Sequence, residues 1–328
     1  MKAIAILETG EREVMQCLDL PIPPIQSDEI LVKNQATGIN FVDTYICRGF
    51  KGYFPDKFPH ILGIEGAGIV SKVGNDVTDF QEGDRLCYVY TGSGSYAEYT
   101  AIKAERAILL PNTIDYETAC CLLQGITAQF LTHSTFPLQP DNKVLIHAGA
   151  GGVGLMIIQM AKILGAMVIT TVSTSEKAQL VSDYGADEVI IYTQDDFADE
   201  VMAITQGVGV DVIYDSVGAN TFEKDLKALA NRGYLVLFGQ SSGFVPDFDL
   251  NRLCNRGNEG GSFFITRPTI KHYIQGNQLR QRARVFFDYI LSGKLKILIG
   301  QKYQLEDAPQ AHQAIASRST IGKSIFYL

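Results

Sequence analysis

The chain has 328 residues, 46% of them hydrophobic and 20% charged, with a formal charge of −8 and a pI near 5.2. That length suits two domains better than one core, the composition is that of a folded protein, and the acidic balance works against binding a nucleic-acid backbone. The opening Met1-Lys2-Ala3-Ile4-Ala5-Ile6-Leu7-Glu8 meets an acid too early for a secretory signal, and no apolar run approaches the ~20 residues of a membrane helix, so a cytoplasmic protein is expected. The cysteines at 17, 47, 87, 120, 121 and 254 show no Cys-x-x-Cys spacing and read as free thiols, the adjacent Cys120-Cys121 as small core residues.

In chain order, the first 120 or so residues read as β-rich. Short strand-like pieces at Ile30-Leu31-Val32, Gly68-Ile69-Val70 and Arg85-Leu86-Cys87-Tyr88-Val89 are separated by Gly, Pro and Asp turns. The texture then changes to apolar strands alternating with helices. Val144 to His147 is a buried strand, Leu155 to Leu164 a nearly all-apolar helix stopped by Gly165, Met167 to Val172 a strand, and Ser175 to Tyr184 a polar helix stopped by Gly185. Strands follow at 188–192, 210–214 and 234–238, then a helix over Gln278 to Leu291 and a strand-like tail from Lys323 to Leu328. Alternation of this kind predicts a parallel sheet covered on both faces. The expected class is α/β: a β-rich domain interrupted by a doubly wound one and completed by the C-terminus.

The strand at 144–147 runs into Gly149-Ala150-Gly151-Gly152-Val153-Gly154, a G-x-G-x-x-G pattern that opens a helix. In such a loop the first glycine permits the tight turn, the second lets backbone approach a pyrophosphate, and the third lets helix and strand pack closely. The helix N-terminus adds unpaired N–H groups and partial positive charge. A ligand-free glycine turn and a methyltransferase loop are the competing readings. The next strand ends in Val172-Ser173-Thr174-Ser175, with no carboxylate before Glu176. An enzyme using NAD places Asp or Glu there for the ribose diol. Hydroxyls beside Lys177 leave room for, and attract, a 2′-phosphate, which favours NADPH; the plainer reading of Lys177 is an exposed helix lysine.

Several segments together resemble the medium-chain dehydrogenase/reductase superfamily, and within it the zinc-free quinone oxidoreductase (zeta-crystallin-like) family. They are Gly38 to Tyr45, Gly63 to Val70, Gly83 to Leu86, Gln124 to Ala128, His147 to Gly154, Tyr214 to Gly218, Phe238 to Gly243 and Thr266-Arg267-Pro268. The resemblance implies a GroES-like catalytic domain over 1–124 and 265–328, a Rossmann NADPH-binding domain over 125–264, a cleft between them and a homodimer paired through the Rossmann sheets. The zinc-dependent branch has a cysteine within the stretch occupied here by Asn40 to Asp43, and Gly-His-Glu where this chain has Gly63-Ile64-Glu65. Ile64 cannot ligate a metal, and Val89 to Glu98 bridges the place of the four-cysteine structural lobe, so no zinc is expected. Without a Lewis acid, alcohol oxidation gives way to reduction of an electron-poor quinone or enone.

Carried over residue by residue, the resemblance puts Gly149, Gly151, Gly152, Val153 and Gly154 at the pyrophosphate, and Ser173, Thr174 and Lys177 at the 2′-phosphate. Tyr192 would lie by the adenine and Ser216 and Val217 near the cofactor. Phe238, Gly239 and Ser241 would approach the nicotinamide ribose, and Phe264 and Thr266 the carboxamide. Thr127 and Arg318 complete the outer contacts, Arg318 competing with a plain surface role. Asn40, Asp43 and Tyr45 would line the nicotinamide end, Asn40 and Tyr45 being the catalytic candidates. Tyr45 would hydrogen-bond the substrate oxygen, against the alternatives of a packing tyrosine and of Tyr53 in that role. The five histidines, His60, His133, His147, His272 and His312, read as structural. The expected activity is NADPH-dependent quinone reduction on a small molecule, with no nucleic-acid or membrane partner. An NADPH-dependent enoyl or alkenal reductase and a cofactor-binding, crystallin-like structural protein are the alternatives.

Overall fold

The computed structural model describes residues 1–89, 94–254 and 261–328. Tyr90 to Ser93, inside the expected bridge from Val89 to Glu98, lie outside the described residues. The chain forms two compact units, Met1–Leu123 with Ile297–Leu328, and Gln124–Lys296.

The first unit is built on β1 (Lys2–Ile6), β2 (Met15–Asp19), β3 (Glu29–Ile39), helix α1 (Phe41–Arg48), β4 (His60–Ile61), β5 (Glu65–Val73), β6 (Arg85–Val89), β7 (Tyr99–Lys103), β8 (Ala107–Leu109) and α2 (Tyr116–Ala119). Strands β2-β1-β4 make a small sheet. The larger one runs β15 (Ile299–Tyr303), β16 (Lys323–Tyr327), β3, β5, β6, β8, with β7 also on β3 and helix α9 (Ala308–Ala316) between its two C-terminal strands. The strand-like tail of the sequence is thus β16, antiparallel to β3 with Ile325 opposite Gly38. Ile30, Val32, Val70 and Leu86 form one core, and Ile4, Ile6, Tyr96 and Phe326 another. Alternating apolar positions on paired strands put these side chains on a common face.

Helix α3 (Leu122–Phe130) leads into the second unit. There β9 (Lys143–Ile146), α4 (Gly152–Ile163), β10 (Met167–Val172), α5 (Ser175–Asp183), β11 (Glu188–Ile191), α6 (Phe197–Ile204), β12 (Val210–Asp215), α7 (Phe222–Ala228), β13 (Leu229–Leu237) and β14 (Phe264–Thr266) alternate, followed by α8 (Gln278–Leu291). The sheet order is β11-β10-β9-β12-β13-β14 with every pairing parallel, the doubly wound arrangement. Helix α4 is apolar on nearly every side because Leu155 to Ala161 are all buried. Polar α5 is capped by Thr174 and stopped by Gly185, whose φ of 105° few other residues tolerate. The second unit extends to Lys296, beyond the expected boundary at 264. The reason is that β14 pairs with β13 as the sixth strand, and α8 stays in this unit, its Phe286 against Gly125. Among the described residues no helix is long and apolar enough to cross a membrane.

Strand β5 crosses β3 where the register shifts between Asn34 and Ala36. A Cβ on Gly68 would stand 2.1 Å from the Lys33 carbonyl oxygen, so backbone itself would have to move. Gly68→Ala is expected to destabilise the protein by about 1–3 kcal/mol, read as a lower urea midpoint with an unchanged slope.

Candidate active site

In an open parallel sheet, ligands bind beyond the carboxyl ends of the strands where the order reverses, here between β9 and β12. The turn after β9 leads to Gly151, the N-cap of α4, so the first-turn N–H groups of Gly152, Val153 and Gly154 have no partner within the helix. None of the loop's glycines has a positive φ; the left-handed residue is Ala148, at 55°. Gly149 needs its hydrogen for packing as well. A Cβ on it would lie 2.1 Å from Thr170 Oγ1, so its hydrogen is a packing requirement. Gly154 acts as expected: a Cβ there would meet the Ala148 and Gly149 carbonyl oxygens at 2.5 and 2.7 Å, so the helix seats directly on the turn. Beneath it, buried His147 bonds Thr171 Oγ1 (2.9 Å) through Nδ1 and Asp225 Oδ1 (2.8 Å) through Nε2. Burial pushes the Asp225 carboxyl up to about 7. Gln124, which the sequence offers only within a motif, presses against Gly152 with a buried Oε1 that has no hydrogen-bond partner among the described residues.

At the end of β10, Thr174 Oγ1 accepts the Lys177 N–H (3.3 Å), and Thr193 Oγ1 donates to the Ser173 carbonyl (2.9 Å). Burial holds the half-buried Lys177 ammonium below its ordinary value. Tyr192 follows β11 and donates its N–H to the Val172 carbonyl (3.1 Å), which puts it beside Ser173. At the end of β12, Asp215 accepts the Val217 N–H (2.6 Å), the Gly218 N–H (3.1 Å) and the Thr221 hydroxyl (2.8 Å). Ser241 N–H donates to the Ser216 carbonyl and Phe238 N–H to the Asp215 carbonyl, while a Cβ on Gly239 would be 2.5 Å from Ser216 O. So the structure brings Gly149 to Gly154, Ser173, Thr174, Lys177, Tyr192, Ser216, Val217, Phe238, Gly239 and Ser241 to the carboxyl ends of one sheet. Arg267, which lies in the Thr266-Arg267-Pro268 motif, braces this edge by donating to the Gly239 carbonyl (3.3 Å) and to Gln240 Oε1. Thr266 ends β14, whereas Phe264 stacks on Tyr234 (centroids 4.4 Å, 10°) further back along the strand. Thr127 is half-buried on α3. Arg318, in the first unit, is exposed beyond α9 with φ 59°.

In the first unit, Asn40 caps α1 and its own N–H donates to Asp43 Oδ2 (2.8 Å). Its amide is engaged on both sides: Nδ2 donates to Glu65 Oε1 (2.7 Å), and Oδ1 accepts from Lys323 Nζ (2.9 Å). Lys323 also donates to Glu65 Oε1. Neither Glu65 nor Lys323 was singled out from the sequence as a site residue. Asp43 Oδ2 further accepts the Tyr96 hydroxyl (2.7 Å), which lies 3.2 Å from His312 Nε2. Burial pushes the Asp43 carboxyl up to about 7 and the His312 imidazole down to about 4. Tyr45 is 6% exposed and packs on Phe50 (5.5 Å, 11°), Phe41 and Tyr53, so the two competing tyrosines share one aromatic cluster.

Residues 26–112 match the family described as the alcohol dehydrogenase GroES-like domain, and 152–277 the one described as zinc-binding dehydrogenase. Over 320 residues the chain is 42% identical to quinone oxidoreductase 1 of Escherichia coli, covering 96% of each. It is 37% identical to a 2-haloacrylate reductase of a Burkholderia species over 90% of each. The solved structure of E. coli quinone oxidoreductase complexed with NADPH matches all of both chains at TM-score 0.96 and 41% identity. The chain belongs to the medium-chain dehydrogenase/reductase superfamily and, within it, to the quinone oxidoreductase family. A zinc ion does not suit the residues here. Buried Ile64 offers no ligand, and Glu65 and Asn40 are already held by an ammonium group.

His312 sets a pH dependence whose sign follows from its depressed value. The stability it contributes is present above the ordinary imidazole range and is lost as pH falls through about 4. Asp43 acts oppositely, contributing stability at low pH that is lost as pH rises through about 7. His312→Gln should therefore lose less stability than the wild type on going from pH 7 to pH 4.5. Urea midpoints at the two pH values measure this; equal losses would show that His312 is not the titrating group.

Proposed function

We propose that the chain is an NADPH:quinone oxidoreductase. The observation that carries the reading is the end of β10: Ser173 and Thr174 with Lys177, whose backbone N–H bonds Thr174 Oγ1, and no carboxylate before Glu176, where an acid would repel a 2′-phosphate. The anion cradle at Gly152, Val153 and Gly154 would hold the pyrophosphate, and Ser216, Gly239 and Ser241 the nicotinamide half. NADPH supplies the hydride. A quinone suits this chain because its reduced oxygen is a phenolate, far less basic than an alkoxide, and a neutral donor is enough to receive it. Asn40 keeps one amide hydrogen beyond the one given to Glu65, and Tyr45 or Tyr53 supplies a phenol; these would orient the carbonyl while water provides the proton. The names of the relatives favour quinones, and the 2-haloacrylate reductase among them makes an electron-poor alkene the second substrate class.

The same proposal includes a homodimer and a cytoplasmic setting. The outer edge of β14, with Phe264 46% exposed, is a parallel edge on which a second copy can add. All six cysteines are free thiols, as a reducing compartment keeps them.

The direct test is NADPH oxidation by purified protein with a panel of quinones and enones; NADPH binding without turnover on any of them would leave a structural role. NADPH should bind at least tenfold more tightly than NADH, a difference of about 1.4 kcal/mol. Lys177→Ala should remove most of that preference by weakening NADPH alone, and an equal fall in NADH affinity would make Lys177 a support of the fold. Tyr45→Phe should cost about tenfold in kcat/KM with quinones, since one neutral hydrogen bond contributes roughly 0.5–1.5 kcal/mol. Unchanged kinetics would transfer the role to Tyr53.

A further inference from the structure

The buried cluster behind α1 contains a cation that the chemistry above leaves unused. Lys323 opens β16 directly after Gly322, and its side chain is wholly buried. Its Nζ donates to Asn40 Oδ1 (2.9 Å) and to Glu65 Oε1. Glu65 in turn accepts Asn40 Nδ2 at Oε1 (2.7 Å) and the Leu123 N–H at Oε2 (2.9 Å). Gly38 makes room for the carboxylate, since a Cβ there would lie 2.3 Å from Glu65 Oε1. Three strands, β3, β5 and β16, thus converge on one amide at the N-terminus of α1. A buried ion pair is a poor means of stabilising a fold, because an apolar pair of equal volume usually does as well or better. Its geometry here has a more specific consequence. Ammonium on the carbonyl side and carboxylate on the NH₂ side leave the Asn40 amide a single orientation, and charge on Oδ1 draws electron density from Nδ2.

We propose that Lys323 is a positioning residue for carbonyl reduction, acting through Asn40. It locks and polarises the amide so that the second Nδ2 hydrogen donates to the substrate oxygen as that oxygen gains charge. The inference rests on the reading that Asn40, 6% exposed, lies at the reacting carbonyl. The fixed charge is aimed before reaction, so nothing need reorganise when the hydride moves. Lys323 itself touches neither cofactor nor substrate.

The test compares Lys323→Met, the charge-balanced pair Lys323→Met with Glu65→Gln, Lys323→Arg, and Asn40→Ala with and without Lys323→Met. Steady-state kcat and KM for a quinone are measured alongside NADPH affinity by fluorescence and urea midpoints. The charge-balanced pair guards against misfolding, because it leaves no lone buried charge. Expected are a kcat about tenfold below wild type in the charge-balanced pair, with NADPH affinity within twofold, and recovery of most of kcat in Lys323→Arg. Asn40→Ala should fall further, and adding Lys323→Met to it should change kcat by less than twofold. Wild-type kcat in the charge-balanced pair, or an undiminished tenfold loss in the Asn40→Ala background, overturns the inference. A wild type that reduces enones or 2-haloacrylate but no quinone overturns the substrate reading alone, and the same ratios on that acceptor then decide the role of Lys323. A wild type that reduces none of these removes both.

Discussion

The nucleotide face depends on how closely α4 approaches the turn after β9. With Gly154 directly over the Ala148 and Gly149 carbonyls, the helix axis points its first turn into the space beyond β9 and β12. A methyl group at either end of that contact would lift the helix and turn its N–H groups away. The left-handed Ala148 and the Gly149 contact on Thr170 then fix the turn itself. His147 holds the turn from below by bridging Thr171 on β10 and Asp225 on α7, which ties three elements to one imidazole. In the proposed reading the anion cradle would thus be pre-formed by packing, and the side chains around it would need only to select which nucleotide fills it.

The second unit was legible from the sequence because its signals are local. Apolar runs bounded by glycines mark strands, and the phosphate loop falls between one strand and one helix. The helix expected at 155–164 begins at Gly152, since glycines at its start hide the apolar period without preventing the first turn. The expected boundary at 264 and the compact unit ending at Lys296 differ for a non-local reason: three residues, Phe264 to Thr266, join the sheet as its last strand, and so short a piece carries no period of its own. The contact of Gly149 on Thr170 is not legible in the pattern, which shows where hydrogens are required but not which clash requires them. The stacking of Phe264 on Tyr234 is likewise set by strand register and has no local signal in the sequence.

The first unit was harder to read, and its key contact shows why. Lys323 is separated from Asn40 by 283 residues and from Glu65 by 258. No spacing rule connects a lysine in the C-terminal strand to an asparagine before the first helix. In isolation Glu65 resembles a leftover of a metal motif and Lys323 an ordinary strand-end lysine. Only the antiparallel seam of β16 on β3, with β5 on the other side of β3, puts the three groups within hydrogen-bonding distance.

Two buried carboxyls, Asp43 and Asp225, stand in different units and share one electrostatic character. Each is pushed up to about 7 by burial and each is bound to a group that moderates the cost: the Tyr96 hydroxyl for Asp43, the His147 imidazole for Asp225. A carboxyl with a raised value contributes stability at low pH that is lost as pH rises through it, so each unit's network loosens in the same direction. The two networks differ in what opposes this. Burial lowers the His147 value most, but Asp225 and Asp215 together outweigh it and hold the imidazole above its ordinary value, so the His147–Asp225 pair keeps a proton between two basic atoms. His312 is driven the other way and meets Asp43 only through the Tyr96 hydroxyl, so α1 is held by groups that respond to acid with opposite sign. The first turn of α1, which carries Asn40 and Asp43, is therefore buffered between about pH 4 and 7, while the turn under the phosphate loop is not.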